Sequence, residues 1–256
     1  MSRQRPSDRL DQLIEAAIRV FSTQGYRRAQ TADIAREAGV APGTIYLYVE
    51  SKEALFDLAL RRALQPDTPL DVPTLPVPTP PPGATLAHVR EQLLWTRTLP
   101  VLEKALGCRA PADARAELTA IIEELYARNE RYSRAMDLIS RSRADWPELA
   151  NVYYRELRRG LLQQLTQYLE QRVREGLLRP VPDLATAARL IVETTAWFAR
   201  HRHGDPDSAM ISDDAARETV VHVLANAFCP EATSYAGGQP GPAAAPARST
   251  HGGSKG

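Results

Sequence analysis

Thr44, Tyr46 and Tyr48 alternate along a short segment that opens at Pro42, and Lys52 follows closely. Two phenols, a hydroxyl and an ammonium in so short a span suit phosphate oxygens and base edges better than open solvent. To present them, the segment must be a short helix that turns Ile45 and Val49 inward, one turn apart. Pro42 fits its first turn, where a missing N–H costs nothing. Thr31 gives a start signal for a preceding helix, whose inward face is Ile34, Ala35 and Ala38. Gly39 ends that helix in the left-handed conformation, and Val40 plugs the corner. Two short helices about a tight Gly39-Val40 turn are what a chain needs to enter the major groove of DNA.

The flanks supply the support. Leu10, Leu13, Ile14, Ala17, Ile18 and Phe21 repeat as one face of a helix over residues 8–24, with Gly25 after it. Ser51 caps a further helix that carries Leu55, Phe56 and Ala59 inward and runs to about Leu64. On pattern alone, a helix pair with a glycine corner also occurs in bundles that never meet DNA.

The stretch from Leu10 to Phe56, through Phe21, Gly25, Thr31, Ile34, Ala35, Ala38-Gly39-Val40, Thr44-Ile45-Tyr46, Tyr48 and Lys52 to Leu55, resembles the DNA-binding domain of TetR-like bacterial transcriptional regulators. The resemblance covers about the first quarter of the chain. It implies an all-helical homodimer that binds a palindromic double-stranded operator and is released by a small-molecule effector. Carried over by position, Thr31 and Lys52 hold the phosphate backbone, with Tyr46 and Tyr48 near it. Ala41, Pro42, Gly43 and Thr44 then begin the recognition helix. Positions 41–43 offer only small or apolar groups, so Thr44 and Leu47 carry more of the base reading.

Charge adds little. The chain has 32 basic and 31 acidic side chains, and residues 1–65 carry ten against eight, so attraction to DNA is local. Arg3, Arg5 and Arg9 precede the first helix, and Arg27 and Arg28 the second. No apolar run approaches the ~20 residues that cross a bilayer, and the N-terminus lacks a signal-peptide core, which predicts a cytoplasmic protein without a membrane partner. Cys108 and Cys229 lie far apart without a CxxC pattern and read as reduced thiols.

Residues 66–82 hold eight prolines and cannot continue a helix. The chain thus divides into a helix-turn-helix DNA-binding domain (1–64), a Pro-rich linker (65–84), a helical regulatory and dimerisation domain (85–229), and a Gly/Pro/Ala/Ser-rich tail (230–256) read as disordered. The fold class is all-α: a three-helix head and a helical-bundle body. In the body, helices are expected from Thr85 to Leu99, over 112–143, from Pro147 to Gly176, over 183–202 and over 213–228. Leu184, Ala188, Ile191 and Val192 form one stripe on the last pair, and Val220, Leu224 and Phe228 another. Either the stripes make a four-helix dimer interface, or they face their own core.

Trp95, Tyr126, Trp146, Tyr153, Tyr154 and Trp197 offer large faces with polar handles to an effector. By the resemblance, Trp95 and Tyr126 lie on the helices that surround the family's cavity. Arg128, Arg131, Arg134, Arg141 and Arg143 alternate with Glu130 and Asp137 and read as a solvated face rather than an anion site. His201 and His203, two apart on a helix, have poor metal geometry, so neither metal nor cofactor is expected. No nucleophile elbow, phosphate loop or acid–base pair marks an enzyme. A ligand-responsive repressor fits best; the alternative is a constitutive DNA-binding or scaffold protein without ligand control.

Overall fold

The computed structural model describes residues 6–95 and 99–229. Arg3, Arg5 and the tail lie outside the described residues, as does the side chain of Trp95. Eleven α-helices make up the described chain, together with short 3-10 and π-helical turns.

The head comprises α1 (Pro6–Gln24), α2 (Thr31–Glu37), a 3-10 helix (Pro42–Leu47) and α3 (Lys52–Leu64). Its core follows from the spacing of α1, whose Leu10, Leu13, Ile14, Ala17, Ile18 and Phe21 are all buried. The Phe21 ring meets Phe56 edge-on at 4.9 Å between centroids. The Ser51 hydroxyl caps α3 by accepting the Ala54 N–H at 3.1 Å.

The proline-rich segment turns back along the head instead of leading away from it. Val77, between Pro76 and Pro78, keeps an N–H and donates it to the Tyr48 carbonyl at 2.7 Å, while Glu50 N donates to the Val77 carbonyl at 3.0 Å. Thr79 adds bonds to the Glu50 carboxylate at 2.9 Å and the Ser51 hydroxyl at 2.8 Å. Leu70, Val72 and Val77 pack on the head core. Prolines forbid helix here yet tolerate such an edge pairing, in which only every other N–H is needed.

The body contains α4 (Ala84–Trp95), α5 (Pro100–Gly107), α6 (Ala114–Arg131), α7 (Ser133–Arg141) and α8 (Pro147–Asn151). A π-helical turn (Val152–Leu157) then leads into α9 (Arg158–Arg174), followed by α10 (Leu184–Ala199) and α11 (Asp213–Phe228). The helix expected over 112–143 is two helices, broken at Tyr132, whose φ of −102° and ψ of 13° leave the helical range. The break serves two masters. Leu118, Ile121, Ile122 and Leu125 of α6 enter a core shared with α5, α9, α10 and α11. Ala135, Met136, Leu138 and Ile139 of α7 enter the head's core instead, with Val89 and Leu93 of α4. Two hydrophobic cores thus meet at α7. Residues 100–107, assigned no structure from the sequence, form a helix begun by Pro100.

Candidate nucleic-acid interface

The turn between α2 and the 3-10 helix is closed by two backbone bonds. Val40 N reaches the Ala35 carbonyl at 2.9 Å and Gly39 N the Arg36 carbonyl at 3.1 Å. This double closure requires the left-handed residue that Gly39 supplies, at φ +67°. The start of α2 differs from expectation: Gln30 precedes the helix, and the Asp33 carboxylate accepts its N–H at 3.3 Å. Thr31 is therefore the first helical residue, and its hydroxyl is free to meet the Tyr46 hydroxyl at 3.2 Å.

The 3-10 helix sits on Ile45 and Val49, both fully buried. Its outer side holds Ala41, Pro42 and Gly43, exposed, and Thr44, half-buried. Tyr46 is 53% exposed and Leu47 68%. Two large side chains are thus held outward by a fully packed inner face. Tyr48 is half-buried and packs on the head core.

Lys52 points inward. Its ammonium donates to the carbonyls of Tyr26 at 3.1 Å, Ala29 at 3.3 Å and Arg27 at 3.4 Å. It also lies 4.7 Å from the centre of the Tyr26 ring. The Tyr26 hydroxyl donates to Glu53 at 2.7 Å. Burial, then that bond, pushes the phenol above its ordinary range, and the same bond holds the Glu53 carboxyl below its own. In this state Lys52 is a staple for the turn that carries Arg27 and Arg28, and a phosphate would have to compete with three carbonyls for it.

Residues 13–59, the stretch just described, match the family of bacterial regulatory proteins called tetR. Residues 114–227 match the C-terminal domain of AefR-like transcriptional repressors. The chain belongs to the TetR family. It is 28% identical over 207 residues to the HTH-type transcriptional repressor KstR2 of Mycolicibacterium smegmatis, covering 80% of this chain and 84% of that protein. It is also 52% identical over 42 residues to the fatty acid metabolism regulator protein of Bacillus subtilis, covering 16% of this chain and only 22% of that protein. Among solved structures, the ketosteroid transcriptional regulator KstR2 of Mycobacterium tuberculosis shares the fold at a TM-score of 0.50. That match has 18% identity and covers 89% of this chain and 98% of that one.

This TetR-family regulator corrects the expected dimer residues. Ala188, Ile191, Val192, Val220, Leu224 and Phe228 are buried in their own subunit, and the half-buried Leu184 packs on the same core. The reason is that α10 lies against α6 and α9, and α11 against α6 and α10, so both main stripes are already covered. The exposed apolar groups on these two helices are Leu190 and Val223, each 55% exposed, and Trp197.

Tyr126 is likewise fully buried core, with the Arg217 guanidinium over its ring at 5.4 Å. Two hollows stand out in the TetR-family chain. One, of about 590 Å³, lies between α1, α3 and the proline-rich segment, walled by Leu10, Ile14, Leu70, Val72 and Leu75. Of its charged members, Arg62 and Asp11 are paired at 2.5 Å, and Asp67 meets Arg131 at 2.6 Å. The other, of about 290 Å³, lies among α6, α7, the π-helical turn and α10 and contains Arg128, Ser140, Tyr153 and Tyr154. The sequence pointed to the two tyrosines but not to the cleft. Its signal was the five-residue spacing of buried Val152 and Leu157, the period of a π-helical turn, which leaves the intervening Tyr153 and Tyr154 only partly buried.

Proposed function

We propose that this chain is a homodimeric repressor, acting in the cytoplasm and without catalytic activity. It holds a palindromic operator with two copies of the Pro42–Leu47 helix and releases it when a small molecule enters the body. The observation that carries the reading is the outward presentation of Tyr46 and Leu47 above buried Ile45 and Val49. The hydroxyls of Thr31, Thr44 and Tyr46 serve phosphates and base edges, and Leu47 packs against thymine methyl groups. The small groups at Ala41, Pro42 and Gly43 let the backbone approach the groove, and Tyr48 lies near the phosphates. Lys52 fixes the Tyr26–Ala29 turn that offers Arg27 and Arg28, and reaches a phosphate only when the duplex outcompetes the carbonyls.

An operator selected from a random DNA pool provides the test. Tyr46→Ala should weaken binding by roughly tenfold or more at every salt concentration with little change in the salt slope, since it removes contacts of an uncharged phenol. The dimer should persist by light scattering. Unchanged operator affinity would sink the assignment.

The dimer reading rests on the second, outer stripe. Leu190 and Trp197 are two helical turns apart on α10, and Val223 lies on neighbouring α11, so two helices from each subunit can pair as a four-helix interface. Such a pair sets two recognition helices about one DNA turn, ~34–36 Å, apart. Leu190→Glu combined with Val223→Glu is expected to yield a folded monomer that no longer binds the palindrome tightly. A variant that still weighs as a dimer refutes this choice of face. Ligand control operates by population shift: an effector that favours a different head spacing loses both half-sites at once.

A further inference from the structure

We propose that the cleft among α6, α7, the π-helical turn and α10 binds a small amphipathic anion, its carboxylate or phosphate seated on Arg128. This rests on the reading that the body binds an effector, and it names the effector's chemical class.

The guanidinium of Arg128 carries the inference. Its Nη1 is shut off from solvent with no hydrogen-bond partner among the described residues. Glu124, one turn earlier on the same helix, spends both oxygens on the Val101 N–H, at 3.1 and 3.3 Å, and acts on Arg128 only as a neighbouring charge. Burial, the largest influence on it, holds the Arg128 guanidinium below its ordinary pKa even with the Glu124 carboxylate nearby. Leaving a guanidinium donor buried and unpaired is costly, and an anion in the cleft removes that cost.

The surroundings agree in sign. Arg158 and Arg200 also line the cleft, against a single lining carboxylate, Glu193, which is already paired with Arg158. Arg200 faces Asp137 at 3.5 Å. His201, at the rim, is pushed below its ordinary pKa by burial and by Arg200, and so adds no fixed charge near neutral pH. Ser140 and Tyr154 hydroxyls, 3.4 Å apart, give the anion neutral donors. Leu125, Leu161, Val192 and Ala196 supply an apolar wall, so the ligand needs a hydrophobic body beside its charge.

The site also has a route to DNA. Helix α7 places Ser140 in the cleft while its Leu138 and Ile139 lie in the core of the head. A ligand that bears on Ser140 therefore moves an element on which the head is built.

The full-length chain is titrated with benzoate, decanoate and phenyl phosphate, and with benzamide and decanamide as uncharged matches, by calorimetry. At least one anion should bind and its amide should not; the better of the carboxylate and phosphate arms names the group. Arg128→Met should weaken that binding by roughly tenfold or more, and Arg128→Lys, which keeps the charge, by less. Because the buried Nη1 that is lost had no hydrogen-bond partner, Arg128→Met should melt no lower than the parent. Failure of every anion to bind, equal binding of the amides, or anion binding that survives Arg128→Met overturns the site. Operator release is read separately. An anion that binds through Arg128 without releasing operator keeps this site and refutes ligand control through it, whereas release that survives Arg128→Met keeps ligand control and refutes the site.

Discussion

Replacing Arg172 with methionine is expected to destabilise the body by about 3–5 kcal/mol, the range for removing one partner from a buried ion pair. The side chain is 0% exposed although it carries a full charge. Its fork grips Glu117 twice, with Nε to Oε1 at 2.6 Å and Nη2 to Oε2 at 3.1 Å. Nη1 reaches Glu175 at 3.0 Å, and Nη2 also donates to the Ala105 carbonyl at 2.8 Å. The guanidinium further lies 5.2 Å from the centre of the Tyr168 ring. One residue of α9 thus ties α6 through Glu117 and α5 through Ala105. Methionine fills similar volume but strands the Glu117 carboxylate and the Ala105 carbonyl. Lysine keeps the charge but has no planar fork, so Arg172→Lys should recover only part of the loss. Pairing Arg172→Met with Glu117→Leu removes both charges and should cost less than Arg172→Met alone. Urea unfolding of the four proteins measures this; a single-mutant loss below about 1 kcal/mol would mean that the pair is no anchor.

What the sequence revealed follows from how local each signal is. The helix-turn-helix was legible because Gly39, Val40, Ile45 and Val49 act on neighbours within a few residues. The break at Tyr132 was not, because no proline or glycine stands there. It arises from the demand that α6 and α7 enter different cores. Eight prolines excluded helix over 66–82, but nothing in them says that Val77 pairs with Tyr48 and Glu50. For α10 and α11, periodicity found the apolar stripes correctly and could not say what covers them. The strong stripes went to the subunit's own core and left the weaker one of Leu190, Trp197 and Val223 outside. Lys52 and Arg128 make the same point for charge. Residue type gave each a cation, while the carbonyl cage around Lys52 and the enclosure of Arg128 depend on residues distant in the chain.

Gly25→Ala tests how the head is joined to the body, and is expected to cost about 2–4 kcal/mol. Gly25 ends α1 at φ +82°, where an L side chain is strained. A Cβ there would also sit 3.0 Å from the Arg141 carbonyl and 3.3 Å from the Asp145 carboxylate. Those two residues make the joint itself: Arg141 Nε donates to the Ser22 carbonyl at 3.2 Å, and Asp145 accepts the Arg27 N–H at 2.9 Å. Gly39→Ala serves as the control, because its φ is also positive but nothing lies within 4 Å of an added Cβ. That change should cost only the backbone part, about 1–2 kcal/mol. Thermal unfolding of both variants separates strain from contact, and equal losses would mean that the head does not bear on Arg141 and Asp145. A larger loss at Gly25 carries a functional consequence as well. Arg141 ends α7, the helix that brings Ser140 to the cleft, so prising α1 from it should weaken the effect of any body ligand on operator affinity while the ligand still binds.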